Sequence, residues 1–343
     1  MKTSSVKGNF LPFLFFSLFL ILTNTFASSS FEIIRPLTKT VMEESQASIV
    51  VKIVDPSVTK IRITDSTGQE TIQNVVSTRK VYCKSVMLHL GENILIISAF
   101  QNGEKLQGET LSLFFKSEIH HDFQEEPFGY KERYFHNDKE EQLCKSCHVM
   151  VDKPRKKREA LENEQDSACY LCHRTLFKER KGHAPAINWM CTECHTGENG
   201  DYTDLTKGKS KYRAPDPIMD RCFSCHENIK SSWFAKKSEH GPVRDGRCNR
   251  CHNPHGSNNE FFLRKPIWDL CTTCHSEKAS GAHVISSYVR DKSHPTKGKP
   301  DPSRPGRELG CSSCHDPHGS EGIFLLRSKG KTAFSICVRC HQK

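Results

Sequence analysis

The sequence predicts a two-part molecule. Residues 30–116 form an all-β unit, and residues 136–343 form a loop-rich unit with short helices. Three observations carry this. Short β-rich runs separated by turn signals recur up to about residue 116. Sixteen of the seventeen cysteines lie beyond residue 143. The second part is poor in apolar runs and rich in Lys, Gly, Pro and Asp. Such a polypeptide cannot by itself bury enough apolar surface to offset its ordering entropy.

Residues 1–27 read as a signal peptide. Lys2 and Lys7 give a positive start, and Phe10 to Leu22 is apolar apart from Pro12 and Ser17. Thr25-Phe26-Ala27 offers a small-x-small cleavage site. The run is short for a membrane span. No cysteine follows the cleavage site to carry a lipid, so export without an integral membrane segment is expected.

In the first part the strand candidates are Phe31–Arg35, Ser48–Val54, Val58–Ile63, Lys80–Leu88, Asn93–Phe100 and Glu109–Phe115. Asp55-Pro56, Thr67-Gly68, Leu90-Gly91 and Asn102-Gly103 mark turns. Six or seven strands in this length suggest an antiparallel sandwich. The stretch from Leu88 to Ala99 resembles the late strand pair of bacterial immunoglobulin-like domains, which implies fold and not function. Cys83, the odd cysteine, reads as a small core residue, with an intermolecular disulfide as the alternative. His89 reads as structural. Residues 117–135 are polar, contain Pro127 and Gly129, and read as a linker.

The second part repeats one pattern, Cys-x-x-Cys-His, eight times. The cysteine pairs are Cys144/Cys147, Cys169/Cys172, Cys191/Cys194, Cys222/Cys225, Cys248/Cys251, Cys271/Cys274, Cys311/Cys314 and Cys337/Cys340. The histidines that close them are His148, His173, His195, His226, His252, His275, His315 and His341. Residues i and i+3 share one side of a helical turn. Two cysteines so placed can form thioethers with the two vinyl groups of one porphyrin. The next residue then becomes the proximal ligand of the iron. Zinc ribbons pair their Cys-x-x-Cys units without requiring a histidine after each, and redox motifs are normally single. Eight covalent haems c and their iron are therefore expected, with a zinc or disulfide array as the alternative. At 208 residues for eight haems, the porphyrins must supply the missing apolar core.

The formal charge of +10 does not indicate nucleic acid. Cleavage removes Lys2 and Lys7, and the haem propionates, roughly two per haem, offset the rest once the iron charge is counted. The run Asp152 to Glu159 reads as a solvated charged loop, with docking of an acidic partner as the alternative.

Near the C-terminus the chain repeats itself. Cys248-Asn-Arg-Cys-His-Asn-Pro-His-Gly-Ser257 matches Cys311-Ser-Ser-Cys-His-Asp-Pro-His-Gly-Ser320, and each is followed by a Phe-Leu stretch and another motif. The region 240–341 resembles the doubled Cys-x-x-Cys-His family of multihaem cytochromes c. The earlier motifs fit multihaem cytochromes in general.

Six-coordinate iron needs a second axial ligand. Setting His89 aside, nine histidines remain as distal candidates: His120, His121, His136, His183, His240, His255, His283, His294 and His318. His136, His183 and His240 each stand eight residues before a motif, and His255 and His318 stand three residues after a proximal histidine. The latter two are too close to reach the far side of the same iron. In the family this region resembles, such histidines ligate a neighbouring haem and hold the chain of porphyrins together. Met87, Met150, Met190 and Met219 are other axial candidates, unneeded if histidine suffices.

Two functions follow. Bis-histidine iron has no open site, which predicts an electron carrier in anaerobic or extracellular respiration rather than an enzyme. Its partners would be other cytochromes, a quinol-oxidising complex or an outer-membrane conduit, with self-assembly by haem stacking as a further option. Its place would be the periplasm, or else the outer surface or the extracellular space. The alternative is an octahaem reductase of the nitrite, hydroxylamine or tetrathionate type with one open haem. The absence of any motif ending in Lys argues against it. Haem storage or a purely structural filament is a third reading.

Overall fold

A computed structural model describes residues 29–343 except 118, 138–140, 143, 146–147, 151–160, 178–180, 196–210, 281–282, 284–293, 329–331 and 342–343. The expected signal peptide, Cys147 and the charged run 152–159 lie outside the described residues.

The first part is two facing sheets. The strands are β1 Phe31–Arg35, β2 Thr40–Met42, β3 Gln46–Ile53, β4 Lys60–Thr64, β5 Glu70–Asn74, β6 Val81–Met87, β7 Gly91–Gln101 and β8 Glu104–Phe115. The smaller sheet runs β1-β3-β6, and the larger runs β5-β4-β7-β8-β2. Alternation sets which side chains face inward. Ala47, Ile49, Val51 and Ile53 of β3 meet Leu95, Ile97 and Ala99 of β7 and Leu111 and Leu113 of β8 in one buried cluster. Full burial of each large aliphatic side chain contributes about 1.5–3 kcal/mol. Asn102 and Gly103, both at positive φ, turn β7 into β8 as a two-residue hairpin.

Three details differ from the sequence reading. Strands β2 and β5 were not expected; both are short and lie toward the outside of the larger sheet. Cys83 is not in the core. The period of two buries Tyr82 and Val86 on β6 and leaves Cys83 exposed between them. His89 lies in the β6–β7 turn, where its amide donates to Asn93 Oδ1 at 2.8 Å.

The stretch 117–135 runs along the larger sheet. Lys131–Glu132 forms a further strand, β9, parallel to β2. Tyr130 and Phe123 cover Val41 and Phe114. Gly91 at φ +90° admits the Phe123 ring, since a Cβ there would stand 2.8 Å from it.

From residue 136 onward the character changes. Among the described residues no helix exceeds eight residues, and the one sheet joins Lys181–Gly182 to Gly256–Ser257. The buried hydrophobics number seven here, against twenty in residues 29–135. No described helix is long and apolar enough to cross a membrane. The two parts touch through Arg213, whose guanidinium meets Glu43 at 2.8 Å, and through Lys265, which donates to His120 Nε2 at 3.0 Å.

Candidate haem sites

Among the described residues each motif follows one helical turn. In all eight, the amide of the motif histidine donates to the carbonyl of the first cysteine at 2.8–3.0 Å. That bond fixes the i to i+3 geometry the two thioethers require. Attachment points of neighbouring motifs also meet. The thiols of Cys222 and Cys248 lie close enough to couple, and so do those of Cys271 and Cys311.

The expected attachment cysteines are not all enclosed by the polypeptide. Cys172, Cys225, Cys274 and Cys340 are exposed, whereas the first cysteines of the same motifs, Cys169, Cys222, Cys271 and Cys337, are half-buried. For these four the protein alone does not provide a core, and the sequence reading looks to the porphyrins to supply it. The physical reason is the shortage of apolar side chains beyond residue 136. An uncovered thiol is also one that a vinyl group can reach, so exposure is compatible with attachment.

The two repeated loops are built alike. Asn253-Pro-His-Gly-Ser257 receives the segment 181–183, and Asp316-Pro-His-Gly-Ser320 receives 238–240. Gly256 permits the first approach, because a Cβ there would stand 2.5 Å from the Lys181 carbonyl oxygen. Each incoming segment ends in a histidine that bonds a proline carbonyl, His183 through Nδ1. His183 meets Pro254 O at 2.9 Å, and His240 bonds Pro317.

Seven motif histidines face a second imidazole. His173 lies opposite His136, His226 opposite His183, His195 opposite His255 and His275 opposite His240. His252 lies opposite His318, His315 opposite His283 and His341 opposite His294. The ring centroids are 5.9–6.3 Å apart. Two metal–nitrogen bonds of about 2.0 Å plus two ring half-widths of about 1.1 Å give about 6.2 Å. The gaps therefore fit one iron with two axial imidazoles.

The other ring nitrogen is committed. His195 Nδ1 meets Tyr212 O at 2.6 Å, His252 Nδ1 meets Phe261 O at 2.7 Å and His315 Nδ1 meets Phe324 O at 2.6 Å. Donation from Nδ1 leaves the Nε2 lone pair for a metal. The last two carbonyls are aimed by a repeated backbone device. Phe261 and Phe262, and likewise Phe324 and Leu325, hold φ between +52° and +59°. Residues so held cost about 1–3 kcal/mol each and persist where the surroundings fix them. Burial pushes His255 and His318 down to about 4, so each stays neutral, the form that ligates metal.

His148 differs. Among the described residues no imidazole stacks across from it. Of the two remaining candidates, His120 bonds Lys265 and lies against Phe123, and His121 is exposed. The repeat gives a reason. The loop after the fifth motif brings His255 to the third motif, and the loop after the seventh brings His318 to the fifth. The matching loop after the third motif reads Thr196-Gly-Glu-Asn-Gly200 and carries no histidine. Met87 is exposed on β6.

The alternatives to haem find little here. None of the sixteen described cysteines is in a disulfide, and no described cluster of three or more His, Cys, Asp or Glu could hold a zinc ion. Residues the sequence did not single out also matter. Trp233 stacks on His318 at 4.0 Å, and the buried Glu141 reaches His136 Nδ1 at 3.3 Å. Neither carries a motif that would have flagged it.

Turns that present paired cysteines, with histidines facing across gaps that fit one iron, are the arrangement a multihaem cytochrome c needs. Residues 240–280 and 304–343 match the family described as the doubled CXXCH motif. The chain carries the doubled CXXCH motifs of the multihaem cytochromes c. It is 30% identical over 191 residues to the multiheme cytochrome MtrA of Shewanella baltica (strain OS185). The match covers 51% of this chain and 52% of that one, so the chain spans about half the length of the curated relative it matches. Among solved structures, an engineered protein aligns over 25% of this chain and 19% of its own, at 8% identity and a TM-score of 0.21, and nothing is built on it.

Proposed function

We propose that the chain carries eight haems c and passes electrons along them. The observation that supports this best is the set of seven facing imidazole pairs at 5.9–6.3 Å. Haem iron supplies one-electron exchange between ferric and ferrous states. The chain's own residues do the rest. The cysteines would fix each porphyrin, the motif histidine would ligate its iron, and at seven sites the facing histidine would ligate it too. In this reading His255 and His318 tie one loop to another motif's haem, so ligation also holds neighbouring sites at fixed spacing. The two facing sheets of the first part are read as an immunoglobulin-like sandwich that docks the haem unit to a partner. The chain is read as exported to the periplasm or cell surface, exchanging electrons with other cytochromes, a quinol-oxidising complex or an outer-membrane conduit.

A second reading is favoured by one observation, the lack of an imidazole opposite His148 among the described residues. An open iron there would make a reductase of nitrite, hydroxylamine or tetrathionate type. Low-temperature EPR of the oxidised holoprotein separates the two, with haem counted by pyridine haemochrome. Eight haems with only low-spin signals mean a closed wire. A high-spin signal of about one haem means an open site, and fewer than eight haems defeats the count.

A further inference from the structure

Of the imidazoles that face each other in this chain, His136 has an unusual partner. The Nδ1 contacts of His183, His195, His252 and His315 run to backbone carbonyls. His136 Nδ1 meets a carboxylate, Glu141 Oε1, at 3.3 Å. Two other motif-region histidines have a carboxylate nearby, but beyond hydrogen-bond reach. Asp316 lies 3.8 Å from His318 Nδ1, and Glu277 lies 4.0 Å from His275 Nδ1.

Glu141 is 1% exposed. Its second oxygen, Oε2, accepts from Lys211 Nζ at 3.2 Å. Burial of a carboxylate costs several kcal/mol unless it is paired and hydrogen-bonded, and here both oxygens are used. The backbone holds the arrangement in place. The Lys211 amide donates to His136 O at 2.6 Å, and the Glu141 carbonyl accepts from the amides of Cys144 and Lys145 at 3.0 Å. One residue thus joins the first motif's turn to the imidazole that faces His173.

We infer that Glu141 is a positioning residue that lowers the reduction potential of the haem held by Cys169, Cys172 and His173. This rests on His136 being that haem's distal ligand. The physical cause is charge. A carboxylate on Nδ1–H draws the proton toward itself, makes Nε2 a stronger donor and favours ferric over ferrous iron. The low dielectric of a buried site strengthens the effect. A carbonyl dipole, the partner of the other imidazoles named, does this more weakly than a full charge. Partners of this kind shift metal affinity by about 10–100-fold, and a tenfold bias between the two oxidation states is about 59 mV. Along the haem chain Glu141 therefore sets a step at the second motif.

The test is a potentiometric titration of the Glu141→Gln holoprotein followed by EPR. Gln keeps the shape and removes the charge. One haem should become about tenfold easier to reduce, and one low-spin ferric signal should move to a larger highest g-value as the ligand field weakens. An unchanged set of potentials and g-values, at full haem count, overturns the inference. If the Gln protein matures with fewer haems, Glu141→Asp decides. It keeps the charge but draws it back from Nδ1, so the same haem should shift in the same direction by less, and no shift overturns the inference. His136→Ala separates the two layers. One new high-spin iron there, with no effect of Glu141→Gln, leaves the ligand assignment standing and defeats the role of Glu141. No new high-spin iron defeats the ligand assignment and the inference with it.

Discussion

His318→Ala removes one of two imidazoles that face each other 6.0 Å apart. The ring stacked on it, Trp233 at 4.0 Å, cannot take over, because an indole nitrogen donates and does not accept. On the proposed ligation one of eight irons would then lose its sixth ligand, so about one eighth of the haem should turn high-spin, with the others unchanged. Stability should fall as well. A link between residues 252 and 318 closes a loop of 66 residues. In the chain-entropy picture a cross-link of that length is worth about 4 kcal/mol. That is a ceiling, since Ser238 and Ser320 also bridge nearby segments. At about 2–4 °C per kcal/mol the melting temperature should drop by at most roughly 8–16 °C. EPR of the oxidised protein reads the spin state, carbon monoxide binding to the reduced protein reads the open site, and added imidazole should restore the low-spin signal. Eight low-spin haems in the His318→Ala protein would refute the pairing.

Three further outcomes are expected. Ile97→Ala opens a cavity at the centre of the two facing sheets and should cost about 2–5 kcal/mol in thermal unfolding while leaving the haem spectrum unchanged. In the proposed reading the other sixteen cysteines, the exposed Cys225, Cys274 and Cys340 among them, would be committed to thioethers, so holoprotein should show one titratable thiol per chain and none after Cys83→Ser; stability should change by less than about 0.5 kcal/mol because Cys83 faces out. Burial pushes the Asp301 carboxyl up, but hydrogen bonds from Ser313, Arg304 and Ser303 outweigh it and hold it well below the usual carboxylate range. The resulting stability is present above the ordinary carboxylate pKa of about 3.9 and is lost as pH falls through the lowered value. Asp301→Asn should therefore lower stability near neutrality and flatten the loss on acidification, as read by melting between pH 7 and 2.

Much of this was legible in the sequence. Short β-rich runs between turn signals marked β3, β4 and β7, and in the structure each buries alternate side chains against the opposite sheet. The motif turns were legible because Cys, Cys and His at fixed spacing need one helical turn. What the spacing left open was which imidazole faces which. His183 and His240, eight residues before a motif, stand opposite the histidine of the following motif, His226 and His275. That depends on where the Asn-Pro-His-Gly-Ser and Asp-Pro-His-Gly-Ser loops hold the incoming segment. Cys83 was misread because its strand is half buried, and one residue of register separates core from surface. The Phe-Leu stretches were visible as repeats, but only their left-handed backbone explains them, by turning carbonyls onto His252 and His315.

The uneven distribution of core has a consequence for assembly. Twenty buried hydrophobics support the first part and seven support the described residues from 136 onward, although the latter stretch is longer. The facing sheets bury one continuous cluster, whereas the second part is joined mainly through its histidine pairs and loop bridges. Those pairs stabilise nothing until an iron spans them, because two neutral imidazoles about 6 Å apart exert little force on each other. Haem attachment and folding should therefore be one process beyond residue 136 and separate processes before it. A chain made without haem attachment should show β-sheet circular dichroism and a cooperative melt from the first part alone. Limited proteolysis should stop near residue 135 and leave a resistant fragment. Protection of the region 240–341 in haem-free protein would contradict this, and would mean that side-chain packing rather than ligation organises the repeated loops.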